Sequence, residues 1–285
     1  MDNADPPFAP APPTHPLPKG AWDAHVHMLG GPQHPLSPNR AQNPAPGHDF
    51  DDWLAMLRDH LAALGCAHAL IVHSILYGTD NAVTCDAVAA LGADFKGVGL
   101  LPDGADLAAV RTLSRANCVA VRLNYVHGGV LTWDGAKAMA PLLADHGMHI
   151  QMLLHADKHV AELASDIRAL PVPLVIDHCG WPTTLKPDRA AIDTLCALLS
   201  EGHIHIKLSA PYRLTRDITQ TEPLMRRLID ANPDRCLWGS DWPHIMLGKA
   251  KMPRAATLAD HLSAITRPHE RQKILVDTPN RLFLT

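Results

Sequence analysis

The sequence predicts a single (β/α)8 TIM barrel of the α/β class. Eight short apolar runs alternate with longer stretches of helical periodicity along 285 residues. The runs lack strict two-residue alternation, as expected of strands covered on both faces. Polar residues gather at the carboxyl ends of the runs, the end where such barrels place their chemistry. A doubly wound open sheet is the competing arrangement, but no glycine-rich phosphate-binding turn follows the first run.

Residues 1–20 carry seven prolines and read as an extended Pro-rich N-terminal extension; residues 21–285 read as the barrel. The first strand is expected at residues 22–27. A second proline-rich stretch, 30–47, carries His34 and is too long for an idle connection, so it is expected to cover a site. The clearest helix spans 52–64, where Trp53, Leu54, Leu57, Leu61 and Leu64 form one stripe that stops at Gly65. Further strands are expected at 69–73, 97–101, 119–124, 149–154, 172–177, 203–208 and 236–240. Helical patterns fill 81–91, 134–146, 158–169 and 188–200.

Composition narrows the function. With 25 basic and 29 acidic residues the net charge is −4, which removes the footprint of a nucleic-acid binder. No run of 18 apolar residues is present to span a membrane, and residues 1–20 lack the apolar stretch of a signal peptide. The 6 cysteines are dispersed with no C-x-x-C pair, which suits a reducing compartment. A cytoplasmic protein acting on a small molecule is therefore expected.

The strand ends supply the candidates. His25 and His27, two residues apart on the first strand, point to one face and into the barrel mouth. His73, Arg122, Asn124, His155, His178 and Asp241 close later strands. Imidazoles and a carboxylate converging there can hold a metal or bind a reacting water. A lone H-x-H motif means little; joined to His178 and Asp241 in strand order, it points to a site. Arg122 is costly in an apolar strand unless it meets a carboxylate, either from the protein or from a substrate. Arg213 follows strand seven and is the second candidate anion grip. His73 and His155 serve equally well as satisfied rim residues, and Lys207 as a buried ion-pair partner.

Residues 22–27 (Trp-Asp-Ala-His-Val-His), 176–180 (Ile-Asp-His-Cys-Gly) and 238–244 (Trp-Gly-Ser-Asp-Trp-Pro-His) resemble the amidohydrolase superfamily. More narrowly, with Gly78-Thr-Asp-Asn81 and Val121-Arg-Leu-Asn124, they resemble its subgroup of 2-pyrone-4,6-dicarboxylate lactonase, 4-sulfomuconolactonase and galactarolactone isomerase. The resemblance implies a lactonase in which Asp241 activates water while His25, His27 and His178 polarise the ester carbonyl. It also implies Arg122 and Arg213 as grips on substrate carboxylates. Lactone isomerisation and zinc-dependent amide hydrolysis or decarboxylation are the alternatives.

Two departures bear on substrate. Trp181 stands where the pyrone lactonase has an arginine, and the loop Tyr125-Val-His-Gly-Gly129 lacks another. A small monocarboxylated or neutral lactone, sugar-derived ones included, is expected, with Trp181 stacking on a ring. Leu153 holds the strand-five position where metal-dependent relatives carry histidine, and His155 lies two residues on. No cofactor is therefore expected; the alternative is one zinc ion on His25, His27, His178 and Asp241, with His155 as a further ligand.

Overall fold

The computed structural model describes residues 2–284. Eight parallel strands lie in chain order around a nearly closed barrel: β1 (Ala21–Val26), β2 (Cys66–Val72), β3 (Lys96–Gly99), β4 (Cys118–Asn124), β5 (His149–Leu153), β6 (Leu174–Ile176), β7 (Ile204–Ser209) and β8 (Cys236–Gly239). Between them run α1 (Phe50–Leu64), α2 (Ala82–Leu91), α3 (Leu107–Arg115), α4 (Trp133–Ala144), α5 (Ala156–Ala169), α6 (Arg189–Glu201) and α7 (Glu222–Ala231). After β8 come α8 (Ala255–Ile265) and a C-terminal helical segment that ends at Phe283. Among the described residues no helix is long and apolar enough to cross a membrane.

Local chemistry explains the element ends. Asp49 caps α1 by accepting from the Asp52 backbone, while Asp52 reaches back to the Asp49 N–H, and Gly65 ends the helix in the left-handed region. β6 is shorter than the apolar run 172–177 suggested. Pro171 and Pro173 cannot donate to a ladder, so pairing with β5 starts at Leu174. β2 starts earlier than expected, because its first turn is half exposed and hides its apolar pattern. The helices α3, α7 and α8 lay outside the helical patterns picked out of the sequence.

Two shells of apolar side chains hold the barrel. Trp22, Ala24, Leu70, Val72, Val98, Ala120, Val175 and Leu237 fill its interior, with Phe283 among them. The larger shell packs helix stripes on the outer strand faces. Closure between β8 and β1 is made at the carboxyl ends, where Asp241 N–H donates to His25 O at 2.9 Å and His27 N–H to Trp242 O at 2.7 Å. Those two bonds place the strand-one histidines beside the strand-eight aspartate. Gly239 makes this approach possible: a Cβ there would lie 2.5 Å from the His25 Cβ.

The proline-rich N-terminal residues lie along the outside of the barrel. Thr14 and His15 N–H groups donate to Asp260 on α8, and the Phe8 ring packs 4.4 Å from the Arg254 guanidinium. The 30–47 stretch packs on the rim: Ser37 N–H donates to Leu76 O, and Gln42 accepts from Met246 N–H. None of the residues lining the cavity described below comes from it, so it buttresses the mouth where a cover had been expected.

Candidate active site

A cavity of about 250 Å³ opens at the carboxyl ends of the strands. Its walls include His27, Arg122, Asn124, His178, Trp181 and Asp241. His25 lies just behind, fully buried, with its ring centroid 5.0 Å from that of His27 and 4.8 Å from that of His178. The four residues that sequence reading placed together are thus brought to one spot.

Asp241 is the hub, and its two oxygens have separate surroundings. Oδ2 accepts from the Tyr212 hydroxyl at 2.5 Å and from Arg213 Nε at 2.8 Å, with Arg213 Nη2 also at 2.8 Å. Oδ1 faces His27 Nε2 at 3.4 Å and His25 Nε2 at 3.7 Å. Burial alone would raise the carboxyl pKa, but Arg213 and the histidines outweigh it and hold the group well below the usual carboxylate range. Asp241 adopts a positive φ of 64°, His178 one of 54° and Trp181 one of 33°. Each costs on the order of 1 kcal/mol, and their clustering here marks a site that the surrounding structure holds in place.

The histidines are oriented from behind. His27 Nδ1 donates to Val72 O at 2.9 Å, and His178 Nδ1 pairs with Ser209 Oγ at 2.9 Å. His25 Nδ1 stands 3.3 Å from Asp177 Oδ1 and 3.3 Å from Lys207 Nζ. In each ring Nδ1 is engaged. Burial lowers the His178 pKa to about 4, with Asp241 and Asp177 opposing, and pushes His25 well below its ordinary value with help from Lys207. Desolvation also brings Lys207 down to about 8, although Asp177 pulls it up.

The donor set suits a cation. A backbone carbonyl only accepts, so His27 Nδ1 carries a proton, and the opposite Nε2 faces Asp241 Oδ1 at 3.4 Å. His25 Nε2 is buried with no hydrogen-bond partner. One ligand atom each from His25, His178 and Asp241 lie within 4.8 Å of one another. The residues fit a divalent ion.

The other expected residues fall into place unequally. Arg122 is 8% exposed, gives Nη1 to His73 O at 2.6 Å, leaves Nε without a partner and has no ion pair with a protein carboxylate among the described residues. Asn124 lines the cavity beside it, its Oδ1 accepting from His127 N–H. His73 is buried against Asp80 O, and desolvation lowers its pKa to about 4. Trp181 is on the wall, whereas His155 sits behind it, donating Nδ1 to Trp181 O at 2.7 Å from the position before α5. β5 ends at Leu153, which takes the wall position, so His155 is outside the donor set. Arg213, expected on a substrate carboxylate, instead directs two nitrogens at Asp241. Sequence reading missed Tyr212, although its position beside Arg213 in the strand-seven loop was the available signal.

The chain belongs to the amidohydrolase family, whose model matches residues 22–284. It is 33% identical to a 2-pyrone-4,6-dicarboxylate hydrolase of Comamonas testosteroni over 96% of this chain and 93% of that one. A 4-sulfomuconolactone hydrolase of Hydrogenophaga intermedia is 30% identical, over 94% and 89% of the two chains. Among solved structures, an apo protein from Agrobacterium tumefaciens superposes with a TM-score of 0.85 at 21% identity, covering 97% and 98% of the two chains.

One expectation is corrected. The sequence reading called for no cofactor, on the strength of Leu153 at the strand-five position. The family membership, the His25–His178–Asp241 donor set and a same-fold amidohydrolase from Burkholderia multivorans described with bound zinc overturn it. That neighbour has a TM-score of 0.64 at 18% identity and covers 93% of this chain and 99% of its own. The physical reason is that a strand-five histidine is dispensable when three other donors already converge.

Proposed function

We infer that this chain is a lactone hydrolase that opens the ring ester of a small carboxylated lactone. The observation that carries this reading is Asp241, one oxygen pinned by Tyr212 and Arg213 and the other turned toward the Nε2 atoms of His25 and His27. The two hydrolase relatives at 30% and 33% identity support the reaction class.

Asp241 Oδ1 takes a proton from water as the water oxygen bonds to the ester carbonyl carbon. The ring C–O bond then breaks, the departing alkoxide recovers the proton, and the product is an open-chain hydroxy acid. Tyr212 and Arg213 are positioning residues: they fix the carboxylate rotamer and keep it ionised. His25, His27 and His178 surround the carbonyl oxygen; they, with Asp241, are also the groups that would hold a divalent ion. Such an ion supplies positive charge against the developing oxyanion and makes water more acidic. Arg122, with no protein carboxylate to meet, binds the substrate carboxylate.

Turnover of a carboxylated γ-lactone in ¹⁸O-labelled water tests this reading. Hydrolysis places one label in the new carboxylate. An isomerised lactone without label contradicts it, because the attacking group would then be a substrate hydroxyl.

A further inference from the structure

A second cavity of about 210 Å³ adjoins the first and shares three of its wall residues, Ile75, Arg122 and Asn124. Arg122 thus stands at the junction of two lobes. The far lobe is walled by Leu100, Val130 and Leu131, with Gly128 and Gly129 in the loop after β4. Arg122 is its only charged wall residue, and Thr79 and His73 are the other polar side chains there besides Asn124. His73 already spends Nε2 on Asp80 O. A polyol or a second carboxylate entering this lobe would lose hydration and, beyond Arg122, Thr79 and Asn124, meet mainly apolar wall.

The rim carries the same signature independently. Among the described residues the exposed large hydrophobic side chains are Ile75 at 43%, Val130 at 39%, Met246 at 40% and Leu284 at 47%. The first three line the two lobes. Apolar surface concentrated at the mouth of a site marks something apolar that binds there.

We propose that the far lobe is a specificity pocket for an uncharged apolar substituent, so that the preferred substrates are monocarboxylated lactones bearing an alkyl or aryl group. The carboxylate sits on Arg122, the lactone ring lies toward Asp241, and the substituent extends the other way, past Asn124 toward Leu100 and Leu131. The chemical identity of this substrate class rests on the lactone-hydrolase reading; the apolar character of the lobe does not. The loop after β4 forms one wall of the pocket through Gly128, Gly129 and Val130. A Cβ on Gly129 meets nothing within 4 Å, so a larger side chain there enters free space without displacing its neighbours.

The test uses two homologous series with hydrogen, methyl, propyl and phenyl substituents. One is of carboxylated γ-lactones, read as kcat/KM. The other is of the matching tetrahydrofuran carboxylates, which have no ester to cleave, read as Kd by calorimetry. Each methylene that enters the lobe is expected to improve both by about four-fold. Gly129→Phe, which adds bulk at the wall of the lobe, is expected to bring the propyl-to-hydrogen ratio close to one. Val130→Trp is a second filling variant at a half-exposed position, expected to act in the same direction. A flat Kd series in the parent, or an unchanged substituent ratio in both filled variants, overturns the proposal. Failure of every lactone to react while the tetrahydrofuran series keeps its dependence would instead strike the hydrolase reading and leave the pocket standing.

Discussion

The two ends of the barrel hold cavities of nearly equal size, about 250 Å³ at the mouth and about 260 Å³ at the floor. Each is lined by a buried histidine whose pKa burial has pushed down: His178 to about 4 at the mouth, His149 to about 3 at the floor. Volume, burial and a perturbed titration therefore do not separate a site from a packing defect. Convergence does. At the mouth His25 and His27 turn Nε2 toward Asp241, His178 offers a ligand atom within 4.8 Å of the same group, and Arg122 keeps its Nε unpaired. The floor cleft has His149 and Arg281 among aliphatic and proline walls and no carboxylate in its lining. His149 there packs on Phe283, 5.8 Å between ring centroids. One end gathers groups that can hold a cation or exchange a proton; the other packs a histidine on Phe283.

Metal removal breaks that comparison most strongly. Protein purified without added metal is expected to hold roughly one divalent ion per chain, as a single site does. Dialysis against a chelator is expected to lower hydrolysis by about 10²–10⁴, several kcal/mol of lost transition-state stabilisation. The ion should be absent from His178→Asn and retained in His149→Asn, measured by elemental analysis. Equal content in both variants would mean that the ion sits elsewhere.

Arg122→Met is the next effect in size. Losing a charge-assisted pair with the substrate carboxylate is expected to raise KM about 10–100-fold, with a smaller change in kcat. An unchanged KM would show that no anion sits on this guanidinium.

Acid titration gives the smallest effect and sharpens the comparison from the floor. His149 and His205 titrate near 6.5 when unfolded but at about 3 in the fold, because burial disfavours the charged imidazole. Between those values the unfolded chain binds more protons, so stability is lost as pH falls from about 6.5 toward 3. At pH 5 each contributes a loss on the order of 2 kcal/mol relative to pH 7. Urea midpoints at pH 7 and pH 5 measure it, and His205→Asn should narrow the gap.

Much of this was legible in the sequence. The eight strands and the mouth residues followed from short apolar runs with polar ends, because barrel strands put their last side chains in one place. His25, His27, His178 and Asp241 could be grouped without knowing any distance. What could not be read were contacts made by loop geometry. Tyr212 and Arg213 reach Asp241 through the turn after β7, where Ala210 has a positive φ of 50°. The cofactor expectation failed for a related reason: it weighed one missing ligand position above three donors whose mutual distance the sequence does not show. Arg122 was flagged by the cost of a charge in an apolar strand, yet its place between two lobes depends on the loop of Gly128 and Gly129 folding away from it.

Asp241→Asn tests the central claim most directly. The variant keeps the shape of the side chain and removes its capacity to take a proton. Its kcat for a carboxylated lactone is expected to fall by about 10²–10⁴, while circular dichroism and binding of a tetrahydrofuran carboxylate show a folded protein with its cavity intact. Turnover within a few-fold of the parent in such a folded, ligand-binding variant would contradict the assignment of Asp241 as the base.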